Sequence, residues 1–245
     1  MNFKKYLRGL RGDFGTDNEV SRMQWIEKAL AKIEEGSRIL DAGAGTQQYK
    51  KFCAHLNYVS QDFGAYDGGG DGAALQMGSF DYGVLDIVSD IAAIPEPDLS
   101  FDAVMCTEVI EHVPDPIAAL REFARLLKPG GELIMTAPFN SLTHFSPYHF
   151  SSGFNRYWYE KHLADLGFEI LELTPSGNYF KYLGQEMLRV ESVGREFAGA
   201  KTSSMDLLAI ALLQRLLSRF SRTDRGSSQL LCFGYHVRAR KKALE

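Results

Sequence analysis

The 245 residues carry 27 basic and 31 acidic side chains, a net charge of −4, and 45% of them are hydrophobic. That apolar content excludes intrinsic disorder, which needs few core formers and a strong charge imbalance. The acidic balance argues against a general nucleic-acid binder, because neutralising phosphates takes a basic face, and no DNA partner is expected. Three scattered cysteines, Cys53, Cys106 and Cys232, make neither a disulfide framework nor a paired-cysteine zinc site.

Met1 to Arg8 has basic residues without an apolar stretch behind them, so no secretory signal is expected and the cytoplasm is the expected compartment. The first periodic segment spans 19–35, where Val20, Met23, Ile26, Leu30 and Ile33 recur at helical spacing until Gly36. A short strand over 38–41 then runs into Ala42-Gly43-Ala44-Gly45, followed by a predicted helix at 48–55 and a strand at 57–61 that ends on Asp62. Strand, glycine turn, helix and strand in this order open a doubly wound α/β sheet. Residues 64–83 are polar and glycine-rich, do not match an EF-hand loop, and read as a solvated insertion.

The α/β rhythm resumes with strands at 84–88 and 101–106, a helix at 114–127 closed by Lys128-Pro129-Gly130-Gly131, and a strand at 132–137. A helix at 156–166 and a strand at 168–173 follow, then helical segments at 179–197 and 204–220 and a last strand at 229–238. One domain is expected over 1–245. It comprises an N-terminal helical segment (1–36), a cofactor-binding core (37–174), a helical cap (175–228) and a final strand (229–240).

Two glycines stand where strand one must turn into a helix, which permits positive φ and close approach of a ligand to bare backbone. A dinucleotide fingerprint needs a third glycine where Gln48 stands. Asp41-x-Gly43-x-Gly45, with acidic ends on the next two strands and Glu108-Val-Ile-Glu111-His112-Val-Pro-Asp-Pro116 after strand four, resembles the class I S-adenosylmethionine-dependent methyltransferases. The resemblance covers roughly residues 36–174 plus the terminal strand. It implies a Rossmann-like, doubly wound, seven-stranded and mostly parallel sheet, with an antiparallel last strand and here a C-terminal helical elaboration. It also implies S-adenosyl-L-methionine as cofactor. The turn of Asp41, Gly43, Ala44 and Gly45 would wrap the methionine part, and Gln61, Asp62 and Phe63 would lie at the ribose. Asp90 and Ile91 would meet the adenine, with Thr107 and Glu108 under the ligand. Gln47 stands where the family often has a third glycine. A carboxylate suits ribose hydroxyls because it accepts two hydrogen bonds and carries no competing donor.

Methyl transfer to a hydroxyl needs approach geometry and a base. His112, His144 and His149 follow strand ends on the presumed ligand side and are the catalytic candidates, the last two in an aromatic loop after strand five. No resident metal is expected. The alternative is a divalent ion on Glu108, Glu111, His112 and His149, a set that looks like the one in small-RNA 2′-O-methyltransferases. Tyr157-x-x-x-Lys161 matches the short-chain dehydrogenase pair, but the glycine pattern of those enzymes is absent, and Tyr157, Trp158 and Tyr159 are expected to pack inside.

Met205, Leu208, Leu212, Leu216 and Phe220 form an apolar stripe, widened by Leu207, Ile210, Leu213 and Leu217. With Asp206, Gln214 and Arg215 among it, the 205–217 stretch falls short of the roughly 20 residues of a bilayer span. Lid or core is the first reading of this helix, with a homodimer seam or a membrane-surface contact as alternatives. The expected function is S-adenosylmethionine-dependent methyl transfer, at O or N, to a small-molecule or sugar-containing (glycan) acceptor. The alternatives are a cofactor-binding scaffold or regulatory pseudo-enzyme, and metal-assisted 2′-O-methylation of RNA.

Overall fold

A computed structural model describes residue 9 and residues 12–243. Its seven strands are β1 (Arg38–Ala42), β2 (Asn57–Asp62), β3 (Ile87–Val88), β4 (Phe101–Thr107), β5 (Leu127–Pro138), β6 (Phe168–Ser176) and β7 (Gly234–Lys241). The helices are α1 (Asn18–Leu30), α2 (Pro116–Leu126), α3 (Arg156–Asp165), α4 (Tyr179–Phe197) and α5 (Ser204–Arg222). The strands form one sheet in the order β3-β2-β1-β4-β5-β7-β6. The pairs β1–β2, β1–β4, β2–β3 and β4–β5 are parallel, and β7 runs antiparallel to β5. The order reverses at β1 and β4, the switch point beside whose carboxyl ends ligands bind in such sheets.

The central strands are short apolar runs because both faces are covered. In β4 and β5, Phe101, Ala103, Val104, Met105, Leu133, Ile134 and Met135 are all fully buried. Ile26, Leu30 and Ile33 pack with Ile39, Ala103 and Met105 on one face.

Four expectations are corrected. The helix expected at 48–55 is a single 3₁₀ turn, Lys50–Phe52, and the last strand begins at Gly234, after a second 3₁₀ turn at Ser227–Gln229. Strand β3 has only two residues because Asp86 replaces the ladder upstream. Its carboxylate accepts from Ser60 N (2.8 Å) and Ser60 Oγ (2.7 Å). In α3, Tyr159 is fully buried but Tyr157 is 69% exposed and Lys161 pairs with Asp165 at 2.5 Å, so the Tyr-Lys pair is surface structure.

The chain divides into two compact units, 1–21 with 175–233 and 22–174 with 234–245. In the first, α5 starts with a capping box between Ser203 and Asp206 and buries Leu207, Ile210, Ala211 and Gln214. The stripe expected inside, from Met205 through Leu208, Leu212 and Leu216 to Phe220, is the exposed face. The buried row is fixed by Gln214, whose Nε2 donates to Gly184 O of α4 at 2.6 Å. Among the described residues no helix is long and apolar enough to cross a membrane.

In the second unit, the connection from β3 to β4 is held onto α2 by Glu122. Its carboxylate accepts from Ile94 N (2.8 Å) and from Arg125 Nε and Nη2 (2.9 and 2.6 Å). Arg125, with its charge-assisted bonds, holds this carboxyl below the usual glutamate range. A lowered folded value means that the stabilisation is present above the unfolded glutamate range and is lost as pH falls through the lowered value. Glu122→Gln is therefore expected to cost about 1.5–3 kcal/mol near neutral pH, the size of a hydrogen bond to a charged group. Urea denaturation across pH should show the gap to the unaltered protein narrowing as pH falls below the unfolded glutamate range and closing only once the folded carboxyl is itself protonated.

Candidate functional site

The site lies at the carboxyl ends of β1, β2 and β4. The first turn is fixed by backbone: Gly43 N and Ala44 N both donate to Gln61 O, at 2.9 and 2.8 Å. Gly43 has φ +76, and a Cβ there would stand 2.5 Å from both methyls of Val109. Gly45 has φ +50, and its missing side chain leaves room for the Phe80 ring, 3.2 Å from where a Cβ would be. Gln47, in the family's third-glycine position, also takes a left-handed φ of 56. Its amide then spans outward, Nε2 donating to Tyr82 O and Val84 O at 2.8 Å each.

Asp62 closes the turn from the second strand. Its Oδ2 accepts from Gly45 N (2.9 Å) and its Oδ1 from Gly64 N (3.1 Å). A carboxylate has about four acceptor positions, so acceptor capacity remains beyond these bonds. Burial raises the Asp62 pKa, and the N–H groups of Gly45, Gly64 and Phe63 oppose that rise. Gln61 turns its amide to Ser89 O at 2.7 Å, tying β2 to the segment that carries Asp90 and Ile91. Asp90 is exposed and accepts from Ala92 N, and Ile91 is buried beside it.

Asp41 is 1% exposed. Tyr58 OH donates to its Oδ2 at 2.6 Å, while Oδ1 is buried without a partner in the protein. Burial pushes this carboxyl up to about 7, with the Asp62 charge adding to the rise and the Tyr58 bond opposing it. A buried acceptor left open next to the glycine turn fits the ammonium end of the expected cofactor, and the glycine cradle and the free lone pairs of Asp62 fit its ribose.

Thr107 ends β4 half-buried, and Glu108 follows with φ 54. The Glu108 carboxylate is committed elsewhere: Oε1 accepts from Thr136 Oγ1 at 2.8 Å and Oε2 pairs with Arg22 of α1 at 3.0 Å. Glu111 is 1% exposed, with Oε2 unpartnered and Oε1 3.8 Å from His112 Nε2. Burial, then the Glu108 charge, raises its pKa well above the usual carboxylate range.

The three candidate histidines do meet. Ring centroids lie 4.6 Å apart for His112–His144, 4.9 Å for His144–His149 and 5.8 Å for His112–His149. Burial, then the neighbouring His144, pushes His112 down to about 4 against the pull of the Tyr148 carbonyl, and His149 is lowered by burial and His144. Both shifts favour the neutral ring.

The segment 64–83 departs most from expectation. Tyr66 is 4% exposed and packs edge-on against Phe80 and Phe145, at 5.4 and 4.5 Å. Leu75 bridges to His144, Leu75 N donates to Thr143 O, and Phe145 N donates to Leu75 O. Ser146 Oγ donates to Asp71 Oδ1 at 2.6 Å. The stretch is thus a packed cover tied to the loop after β5. The signal for it was present in Tyr66, Phe80 and Tyr82, aromatic residues that a solvated loop does not need. Phe63, 44% exposed, meets Tyr148 edge-on at 5.0 Å on the same side.

A family model described as a methyltransferase domain matches residues 16–173, well over half of the chain. The chain belongs to this methyltransferase family. The reading of the sequence as a class I, S-adenosylmethionine-dependent methyltransferase is borne out, and with it the cofactor. Curated relatives named ubiquinone biosynthesis O-methyltransferase include those of Xanthomonas axonopodis pv. citri, 37% identical over 45% of this chain and 47% of that protein, and Alkalilimnicola ehrlichii, 35% identical over 47% of each. That of Xanthomonas oryzae pv. oryzae is 59% identical over 20% of each chain, so the chain spans from a fifth to about half of these relatives' length. Among solved structures, the [4+2]-cyclase SpnF is similar with a TM-score of 0.54 at 18% identity, over 89% of this chain and 80% of that one. Phosphoethanolamine N-methyltransferase 2 of Haemonchus contortus, in complex with S-adenosyl-L-methionine, has a TM-score of 0.51 at 20% identity, over 91% and 53%. Likeness at this level shows the fold alone.

Gly43→Ala tests how this methyltransferase builds its first turn. The left-handed φ and the collision with Val109 are expected to cost about 2–4 kcal/mol together. Adding Val109→Ala should recover part of that loss in thermal or urea denaturation, because it removes the clash and leaves the backbone strain.

Proposed function

We propose that this methyltransferase transfers the methyl group of S-adenosylmethionine to a hydroxyl oxygen of a small aromatic acceptor. The observation that carries the reading is the gathering of His112, His144 and His149 beside Phe145, downstream of the glycine turn and Asp62. Amine acceptors attack with a lone pair once neutral, whereas a hydroxyl must lose its proton, and three adjoining imidazoles serve that need. The names of the curated relatives support an oxygen acceptor. The rings of Phe63, Phe80, Phe145 and Tyr148 support a flat apolar one.

The bound cofactor supplies a methyl group on a sulfonium sulfur. Asp62 orients its ribose, Asp90 and Ile91 flank its adenine, and the open Oδ1 of Asp41 receives its ammonium. Gly43, Ala44 and Gly45 let it approach the backbone. On the acceptor side a histidine of the cluster takes the hydroxyl proton as the oxygen approaches the methyl carbon, and the 64–83 cover keeps water from competing.

Asp62→Asn is expected to weaken S-adenosylmethionine binding about tenfold or more in calorimetry, the loss of charged hydrogen bonds to the ribose, with unchanged circular dichroism. Equal affinity in a folded variant removes Asp62 from that role. For the acceptor, deuterated-methyl transfer should be followed by mass spectrometry against matched sets of phenols and catechols, sugars, and amines. Methyl ethers of the aromatic hydroxyls are expected. Labelled sugars or amines without labelled phenols would overturn the aromatic O-transfer reading.

A further inference from the structure

We infer that His112, His144 and His149 bind one divalent transition-metal ion of the zinc type through their ring nitrogens. The three offer one ligand atom each, all within 4.8 Å of one another. Their tautomers are set by the backbone. His112 Nδ1 lies 2.5 Å from Tyr148 O and His144 Nδ1 lies 2.8 Å from Leu142 O. A carbonyl oxygen only accepts, so both Nδ1 atoms carry the proton and both Nε2 atoms keep a lone pair. Imidazoles that ligate a metal are held in this way, the far N–H donated to a carbonyl. His112 Nε2 and both ring nitrogens of His149 are buried with no partner in the protein, although buried polar atoms are nearly always paired. A single ion between the rings would engage His112 Nε2 and one ring nitrogen of His149.

The donor set decides the metal class. Three imidazoles suit zinc, cobalt or a similar ion, whereas magnesium and calcium take oxygen. The mixed set considered from the sequence is not assembled, because Glu108 is spent on Arg22 and Thr136. Glu111 stands 3.8 Å from His112 Nε2, which puts a carboxyl group beside the fourth position. Ligands about 2.0–2.1 Å from a tetrahedral ion lie about 3.4 Å from one another, so the rings close by roughly 1 Å on binding. All three side chains are half-buried.

Metal binding stands apart from the O-methylation reading, but its catalytic use rests on that reading. With the ion in place the histidines would be its ligands and not the base, and an acceptor hydroxyl bound in the fourth position would be acidified and give its proton to water. Its oxygen pair then forms the bond to the methyl carbon while the C–S pair returns to sulfur, leaving S-adenosylhomocysteine.

The test uses full-length protein without a histidine tag, treated with chelator and titrated with Co²⁺. The expected result is about one ion per chain, the visible absorption of tetrahedral cobalt, and displacement by Zn²⁺. His144→Ala and His149→Ala should each weaken cobalt binding by at least about tenfold, with circular dichroism and S-adenosylmethionine affinity unchanged. No saturable cobalt binding, or equal affinity in both folded variants, overturns the site. Loss on Glu108→Gln with retention in His144→Ala also overturns it, in favour of a carboxylate site. If cobalt binds but no hydroxyl acceptor is methylated, the acceptor reading fails and the metal site stands. Full methylation by chelated protein that binds no metal has the opposite meaning.

Discussion

The carboxylate of Asp62 braces the whole binding face. One oxygen holds the backbone of Gly45 and the other that of Gly64, so one side chain joins the turn after β1 to the start of the cover after β2. Each bond is to a backbone N–H that the turn leaves without a strand partner, and a charged acceptor strengthens both. The carboxylate proposed to recognise the cofactor is thus also the group that shapes the turn around it.

From that brace the two loops that close the site become one structure. Gln47 fastens the segment at Tyr82 and Val84, Phe80 lies against Gly45 of the turn with Tyr66 packed on it, and Leu75 and Asp71 reach the loop after β5 at His144 and Ser146. Phe150 N and Ser151 N then return to Glu111 O, anchoring the far end of that loop on the segment after β4. His144 and His149 therefore stand on backbone held at both ends, which is how side chains remote in sequence reach His112.

The sheet was legible because its strands are short apolar runs bounded by turn residues, and the same pattern places Asp62, Asp90 and the glycines at or just after strand ends. The meeting of the three histidines could be expected only as a shared side of the sheet, since a loop's path depends on contacts far along the chain. Residues 64–83 misled for a related reason. Their glycines and acids give a solvated composition, while three rings at Tyr66, Phe80 and Tyr82 carry the packing. On α5 an all-round apolar pattern left the buried face open, and Gln214, a polar residue bonded to Gly184 O, decides it. The use of Glu108 was hidden as well, because its partner Arg22 lies on α1, distant in sequence.

The central claim is that this face, braced by Asp62, is built for a sulfonium cofactor and not for a dinucleotide. Calorimetric titration of the unaltered protein with S-adenosylmethionine, and separately with NAD and NADP, tests it most directly. The account predicts saturable one-site binding of S-adenosylmethionine in the micromolar range, about −8 kcal/mol, competed by S-adenosylhomocysteine, and no heat from either dinucleotide. Binding of NAD or NADP, or no binding of S-adenosylmethionine to the folded protein, would contradict it.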